Sequence, residues 1–147
     1  MEGTAVMEGD VKRFVEAQNY CGSYEAALAE IRSGCKRTHW IWYVFPQMAG
    51  LGHSEMSRRY GIVSVQEARA CLRDATLRHR LYEITRALLE HKGQSARDIL
   101  GGIDAMKVRS CMTLFDLVAP GDVFHDVLVQ FFDGKPCGRT LGLARRG

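Results

Sequence analysis

A chain of 147 residues that is 46% hydrophobic and 25% charged has room for one hydrophobic core and too little for two. Its formal net charge of +3 comes from basic residues spread among acidic ones, apart from short pairs such as Lys36-Arg37, Arg58-Arg59 and Arg145-Arg146, which argues against the dense basic face of a nucleic-acid binder. No apolar run is long enough to span a bilayer, and no Pro-, Ser- or Gln-rich tract marks a disordered protein.

In chain order, Asp10 is placed to cap a first helix with Val11, Phe14 and Val15 on one side, leaving residues 1–9 as a flexible end. Ser23 opens a second, Tyr24 to Ser33, whose Tyr24, Ala27, Leu28 and Ile31 recur at helical spacing before Gly34. Thr38 to Ser54, THWIWYVFPQMAGLGHS, is the most unusual stretch, with both tryptophans, a tyrosine and a phenylalanine ahead of Pro46. Ile41 to Phe45 is apolar on every side and has strand propensity. No second segment of that quality is present to pair with it, so a buried helix ended by Pro46 is the reading.

Ala49-Gly50-Leu51-Gly52 forms a turn, and Ser54 caps a short helix to Tyr60. Ser64 and Glu67 form a capping box for a helix to about Arg73. Asp74 starts the longest helix, Ala75 to His91, with Leu77, Leu81, Ile84 and Leu88 as its stripe. Ser95 caps one more turn to Leu100. Asp104 caps a helix to Leu117, and Asp122 caps Val123 to Phe132, which Asp133-Gly134 closes. The expectation is an all-α, compact single domain over residues 10–143, with seven to eight short helices around a central aromatic element and a flexible end at 144–147.

Cys21, Cys35, Cys71, Cys111 and Cys137 form no CxxC pair, and His39, His53, His79, His91 and His125 form no HxxxH or HExxH pair, so no metal or cofactor is expected. With no apolar signal segment, a reduced, cytoplasmic protein is the expectation. Chemistry-bearing residues gather in three places. Trp40 and Gln47 flank the aromatic element, Gln47 being able either to read a ligand's hydrogen-bonding edge or to cap the broken helix. Gly52 and Ser54, with Arg58-Arg59 one turn on, offer glycine backbone and a helix N-terminus to an anion. Asp104, Lys107 and Ser110 share one face of a later helix, either as an exposed ion pair or as a buried site with shifted pKa values.

The motifs RFVEAQ, K-x-x-HW-x-W-x-x-FPQ, the GLG-x-S turn, D-x-x-K-x-x-S-x-MTLF and a terminal FF-x-G segment occur here in order, and from Arg13 to Leu143 the chain resembles the family called domain of unknown function eighteen-ten. It departs from that pattern at Cys111, which stands where a small hydroxyl residue is usual, at Thr76-Leu77-Arg78-His79, which replaces a proline-and-glycine turn, and at Cys137, an often acidic position. More distantly it is similar to the NADAR group, associated with ADP-ribose and NAD-derived substrates. That likeness implies N-glycosidic cleavage, with Lys107 on phosphates and Asp104 stabilising an oxocarbenium-like centre.

Two functions follow as expectations. One is an enzyme or binder of a nucleotide-like small molecule such as an ADP-ribose or NAD derivative, with Lys107 and Asp104 catalytic and Trp40, Gln47, Gly52, Ser54 and Ser110 binding, in a pocket between the aromatic element and the Asp104 helix. The other is a non-enzymatic protein-interaction domain in which the same residues are structural. A homodimer is a separate expectation, since an aromatic-rich short domain can hide surplus apolar surface that way. A ligand site leaves Gln47 and Lys107 accessible in a concavity; a structural role buries or satisfies both.

Overall fold

The computed structural model describes the backbone of residues 2–146 and the side chains of residues 11–146. Met1 and Gly147, within the ends expected to be flexible, lie outside the described residues. The elements are α1 (Glu2–Asn19), α2 (Ser23–Ser33), α3 (Ile41–Val44), α4 (Glu55–Tyr60), α5 (Val65–Arg73), α6 (Ala75–Leu89), α7 (Ala96–Leu100), α8 (Gly102–Val118), α9 (Val123–Phe132) and α10 (Gly138–Arg146), with a 3-10 turn at Tyr20–Gly22. No strand occurs among the described residues; one isolated parallel bridge joins Met48 to Ile62. The all-α reading therefore holds.

Five of the expected caps form as side-chain chemistry dictates: Ser54, Ser64, Asp74, Ser95 and Asp122 each accept a backbone N–H at the start of a helix. Three of the expected caps need correction. Ser23 is the first residue of α2 rather than its cap, because left-handed Gly22 turns the chain there, and its hydroxyl meets the Tyr43 hydroxyl at 2.6 Å. Asp104 lies inside the first turn of α8, which Gly101 opens at φ 84°, so its carboxylate is released from capping. Asp10, expected to open the first helix, lies inside α1; its side chain is outside the described residues.

The Ser64 box forms in one direction only. Ser64 Oγ accepts the Glu67 amide at 3.1 Å, but Glu67 turns to the Val63 amide at 2.9 Å and to Arg13. Arg13 spreads its guanidinium over three elements: Nη1 pairs with Glu67 Oε2 at 2.7 Å, Nε donates to the Arg59 carbonyl and Nη2 to the Gly61 carbonyl, both at 2.9 Å. Gly61 lets two backbone segments approach closely, since a Cβ there would stand 2.8 Å from Ala49 Cα. One charge thus ties α1 to the end of α4 and the start of α5.

The middle of α8 is buried on all sides, while Ile103, Met106 and Leu117 nearer its ends are exposed. Ser110, Cys111, Met112, Thr113, Leu114 and Phe115 are all buried, and α8 packs against α5, α7, α9, α10 and α3. Its two hydroxyls are satisfied locally, Ser110 Oγ on the Met106 carbonyl at 3.1 Å and Thr113 Oγ1 on the Arg109 carbonyl at 2.8 Å. The aromatic turn α3 lies in the same core, with Trp40, Ile41, Val44 and Phe45 buried. The last helix, α10, has no counterpart in the sequence reading, where two glycines and three arginines look like loop. No described helix is long and apolar enough to cross a membrane.

Removing one partner of the Arg13–Glu67 pair leaves a part-buried charge without its counter-ion. Glu67→Ala is expected to cost about 3 kcal/mol, read as a lower urea midpoint with unchanged slope; a loss below about 1 kcal/mol, the scale of exposed pairs, would show the pair to be peripheral.

Candidate functional site

The loop between α2 and α3 is shaped by one carboxylate. Glu30, at the end of α2, accepts the Arg37 amide at 2.7 Å, the Thr38 amide at 3.0 Å, the Thr38 hydroxyl at 2.6 Å and the Trp40 indole N–H at 2.9 Å. Partial burial alone would raise its pKa, but these donors outweigh that and hold it at about 2, below its ordinary 4.5. The loop that they fix carries Lys36, whose ammonium lies 2.8 Å from Asp104 Oδ2 and 4.8 Å from the centre of the Trp40 ring.

Among the residues singled out from sequence, Trp40 is buried with its N–H on Glu30, and Asp104 pairs with Lys36. Lys107 is half-buried with its ammonium 5.3 Å from the centre of the Trp42 ring, and the buried indole nitrogen of Trp42 has no hydrogen-bond partner. Gln47 is half-buried. Its backbone carbonyl accepts the Ile62 amide, and its side-chain amide makes no hydrogen bond among the described residues. Gly52 packs on Ser57, whose hydroxyl a Cβ would approach to 2.5 Å, and Ser54 caps α4. Ser110 bonds to Met106 and also points at Cys137 Sγ, 3.4 Å away. The structure brings Trp40 and Asp104 together through Lys36, and Lys107 to the aromatic turn; Gly52 and Ser54 serve their own turn.

A concavity opens elsewhere. A cleft of about 630 Å³ runs along α6 to the end of α2, lined by Arg32, Arg78, His79, Tyr82, Arg86 and Glu90 among others. Arg78, Tyr82 and Arg86 recur every four residues, which puts them on one face of α6. Arg86 sits 5.2 Å over the Tyr82 ring, Arg78 donates to the Leu72 carbonyl at 3.1 Å, and Arg32 makes no hydrogen bond or ion pair among the described residues. Of the cleft's two carboxylates, Glu83 already accepts the Tyr24 hydroxyl at 2.7 Å. Tyr82 donates to Asp122 at 2.7 Å; burial and that carboxylate push it up to about 12, so it stays neutral. Three guanidiniums around a concave space are suited to an anion, bound bidentately.

Sequence reading missed this face because it followed the apolar stripe of the same helix. The four-residue recurrence of Arg78, Tyr82 and Arg86 was the available signal; the contribution of Arg32 from another helix was not. Among the described residues no group of three metal-ligating side chains occurs.

The family model for proteins of unknown function (DUF1810) matches residues 8–144, and the chain belongs to that family. Its fold is similar to that of the conserved hypothetical protein Rv1873 from Mycobacterium tuberculosis, with a TM-score of 0.89 and 40% identity over 92% of this chain and 96% of that one. No curated protein matches it. Neither match extends to the NADAR group.

The Glu30 node predicts a pH dependence. A carboxyl depressed from 4.5 to about 2 contributes stability that is full above 4.5 and is lost as pH falls towards 2. Glu30→Gln is therefore expected to flatten the fall in melting temperature between pH 4.5 and 2.5; an unchanged slope would place the acid-labile group elsewhere.

Proposed function

We propose that this DUF1810 protein binds an anionic small molecule, nucleotide-like in carrying phosphate beside a planar ring, in the cleft between α2 and α6. Arg32, Arg78 and Arg86 hold the phosphate, and the Tyr82 ring under Arg86 offers a flat surface to the rest of the ligand. The observation that carries the reading is the convergence of three guanidiniums from two helices on one cleft, with one of its two carboxylates engaged by Tyr24. The proposal is of binding: Asp104 and Lys107, the residues a glycosidic cleavage would need, do not line this cleft.

A second reading has its own observation. Ile103 and Met106 stand 77% and 50% exposed on successive turns of α8, beside Lys107, as they would on a surface that receives a protein partner. The two readings separate by ligand response.

A ligand that prefers the native state raises the melting temperature with dose. Inorganic pyrophosphate, ADP, ADP-ribose and NAD are expected to do so for the wild-type chain, and Arg78→Ala/Arg86→Ala is expected to weaken binding at least tenfold, since about 1.4 kcal/mol is one decade and two charge-assisted contacts exceed it. A response that survives the arginine changes but disappears in Lys107→Ala would move the site to the Trp42 face. No response from any of the four would favour the interaction surface on α8.

A further inference from the structure

The sulfur of Cys137 is held in a setting that no account of the anion cleft uses. Cys137 occupies the residue just before α10, and its carbonyl accepts the first helical bond, from the Leu141 amide at 3.2 Å. The side chain therefore stands at the N-terminus of a nine-residue helix, where free amides and the helix dipole favour negative charge. The loop leading to it is pinned: the Arg109 guanidinium donates to the Lys135 and Pro136 carbonyls, each at 2.9 Å, and the Cys137 amide donates to Thr113 Oγ1 at 2.9 Å. Thr113 can accept because its own proton goes to the Arg109 carbonyl. The position of the sulfur is thus set from α8.

Two hydroxyls face that sulfur. Ser110 Oγ lies 3.4 Å from Sγ and 3.1 Å from the Met106 carbonyl, so its single proton has two acceptors and can turn to the sulfur when the sulfur is charged. Thr140, on the first turn of α10, is wholly buried, and its hydroxyl has no hydrogen-bond partner although it lies towards Sγ. A buried hydroxyl without a partner is costly, and one aimed at a half-buried sulfur is a donor held ready for a charged sulfur or for an atom added to it. Burial by itself would raise the thiol pKa; the Ser110 and Thr140 side chains, with the Thr140 and Arg139 amides, outweigh it and bring the thiol below its ordinary value.

The other cysteines differ in kind. Cys71 and Cys111 are buried in the core, where desolvation drives both thiols up, Cys71 to about 12, and keeps them inert. Cys21 and Cys35 are exposed. They serve as references of ordinary accessibility within the same molecule.

We propose that Cys137 is a modification site at which the thiolate reacts with a hydroperoxide. The sulfur attacks one peroxide oxygen. An S–O bond forms as the O–O bond breaks, sulfur is oxidised by two electrons, and the departing hydroxide, or alkoxide where the peroxide is organic, takes a proton from solvent and leaves as water or an alcohol. The product is a sulfenic acid, whose new oxygen can accept the Thr140 proton. The chemistry needs the Ser110 hydroxyl, and so gives that residue of α8 a role apart from ligand binding.

The test uses the intact, reduced chain with substoichiometric hydrogen peroxide, trapping of sulfenic acid with dimedone, and mass spectrometry of the Cys21, Cys35 and Cys137 peptides. Cys137 is expected to label several-fold faster than either exposed cysteine, and Ser110→Ala and Thr140→Val to reduce that excess. Labelling of Cys137 at or below the rate of Cys21 and Cys35 would overturn the proposal. Because Thr140→Val alters a buried position, a measurement on the unmodified chain stands beside it: iodoacetamide alkylation of Cys137 is expected to reach half its maximal rate at a lower pH than that of Cys21 or Cys35. A coincident or higher midpoint would also overturn it.

Discussion

The carboxylate of Glu30 does for this fold what a strand or a metal does in others. The segment from Cys35 to Trp40 has no regular structure to satisfy its amides, yet it must deliver a tryptophan into the core. Four donors from three residues converge on one carboxylate, and the indole N–H, which would be costly to bury unpaired, is among them. Once the loop is fixed, Lys36 has its ammonium near both Asp104 and the Trp40 ring, and α8 is drawn to the aromatic turn. The single-turn helix α3 is too short to be stable alone and exists because its two ends are held.

A second fixed charge pair, Arg13 with Glu67, holds the other side of the molecule. The two pairs share a logic: each buries a charge only where hydrogen bonds use its remaining capacity. Glu67 is buried and takes both a guanidinium and a backbone amide, while Arg13 donates to the Arg59 and Gly61 carbonyls at the point where Gly61 lets two chain segments approach closely. Three other guanidiniums, those of Arg32, Arg78 and Arg86, line the cleft along α6. On α6 the apolar stripe faces the core while Arg78, Tyr82 and Arg86 line the cleft, so one helix both packs the core and shapes a basic concavity.

The family and the fold relative say what kind of molecule this is without saying what it acts on. Function must then be argued from sites. Much of the motif that marks the family, Trp40, Gly52, Ser54 and Asp104, is engaged in holding the structure together, which explains why the motif is so specific and so uninformative about ligands. Lys107, Gln47 and the unpartnered indole of Trp42 are the motif residues with capacity left over.

Local rules were legible in the sequence. Ser54, Ser64, Asp74, Ser95 and Asp122 cap the helices they precede because a short polar side chain before a helix has an orphan amide within reach, whatever surrounds it. The stripe of Leu77, Leu81, Ile84 and Leu88 is buried because periodicity of that kind leaves no other way to remove the surface from water. Ser23, Asp104 and Glu67 were misread for the opposite reason: each side chain had a local partner available and a better distant one, Tyr43, Lys36 and Arg13, that only the packing of other helices could supply. The candidate site divides in the same way. The sequence by itself determined the helices, their caps, the aromatic turn and the ladder of α6, since these depend on neighbours a few residues away. Tertiary structure alone decided that Arg32 joins that ladder, that Ser110 meets Cys137, and that Thr140 is buried beside them, because those distances are set by chain segments that approach only when the core closes.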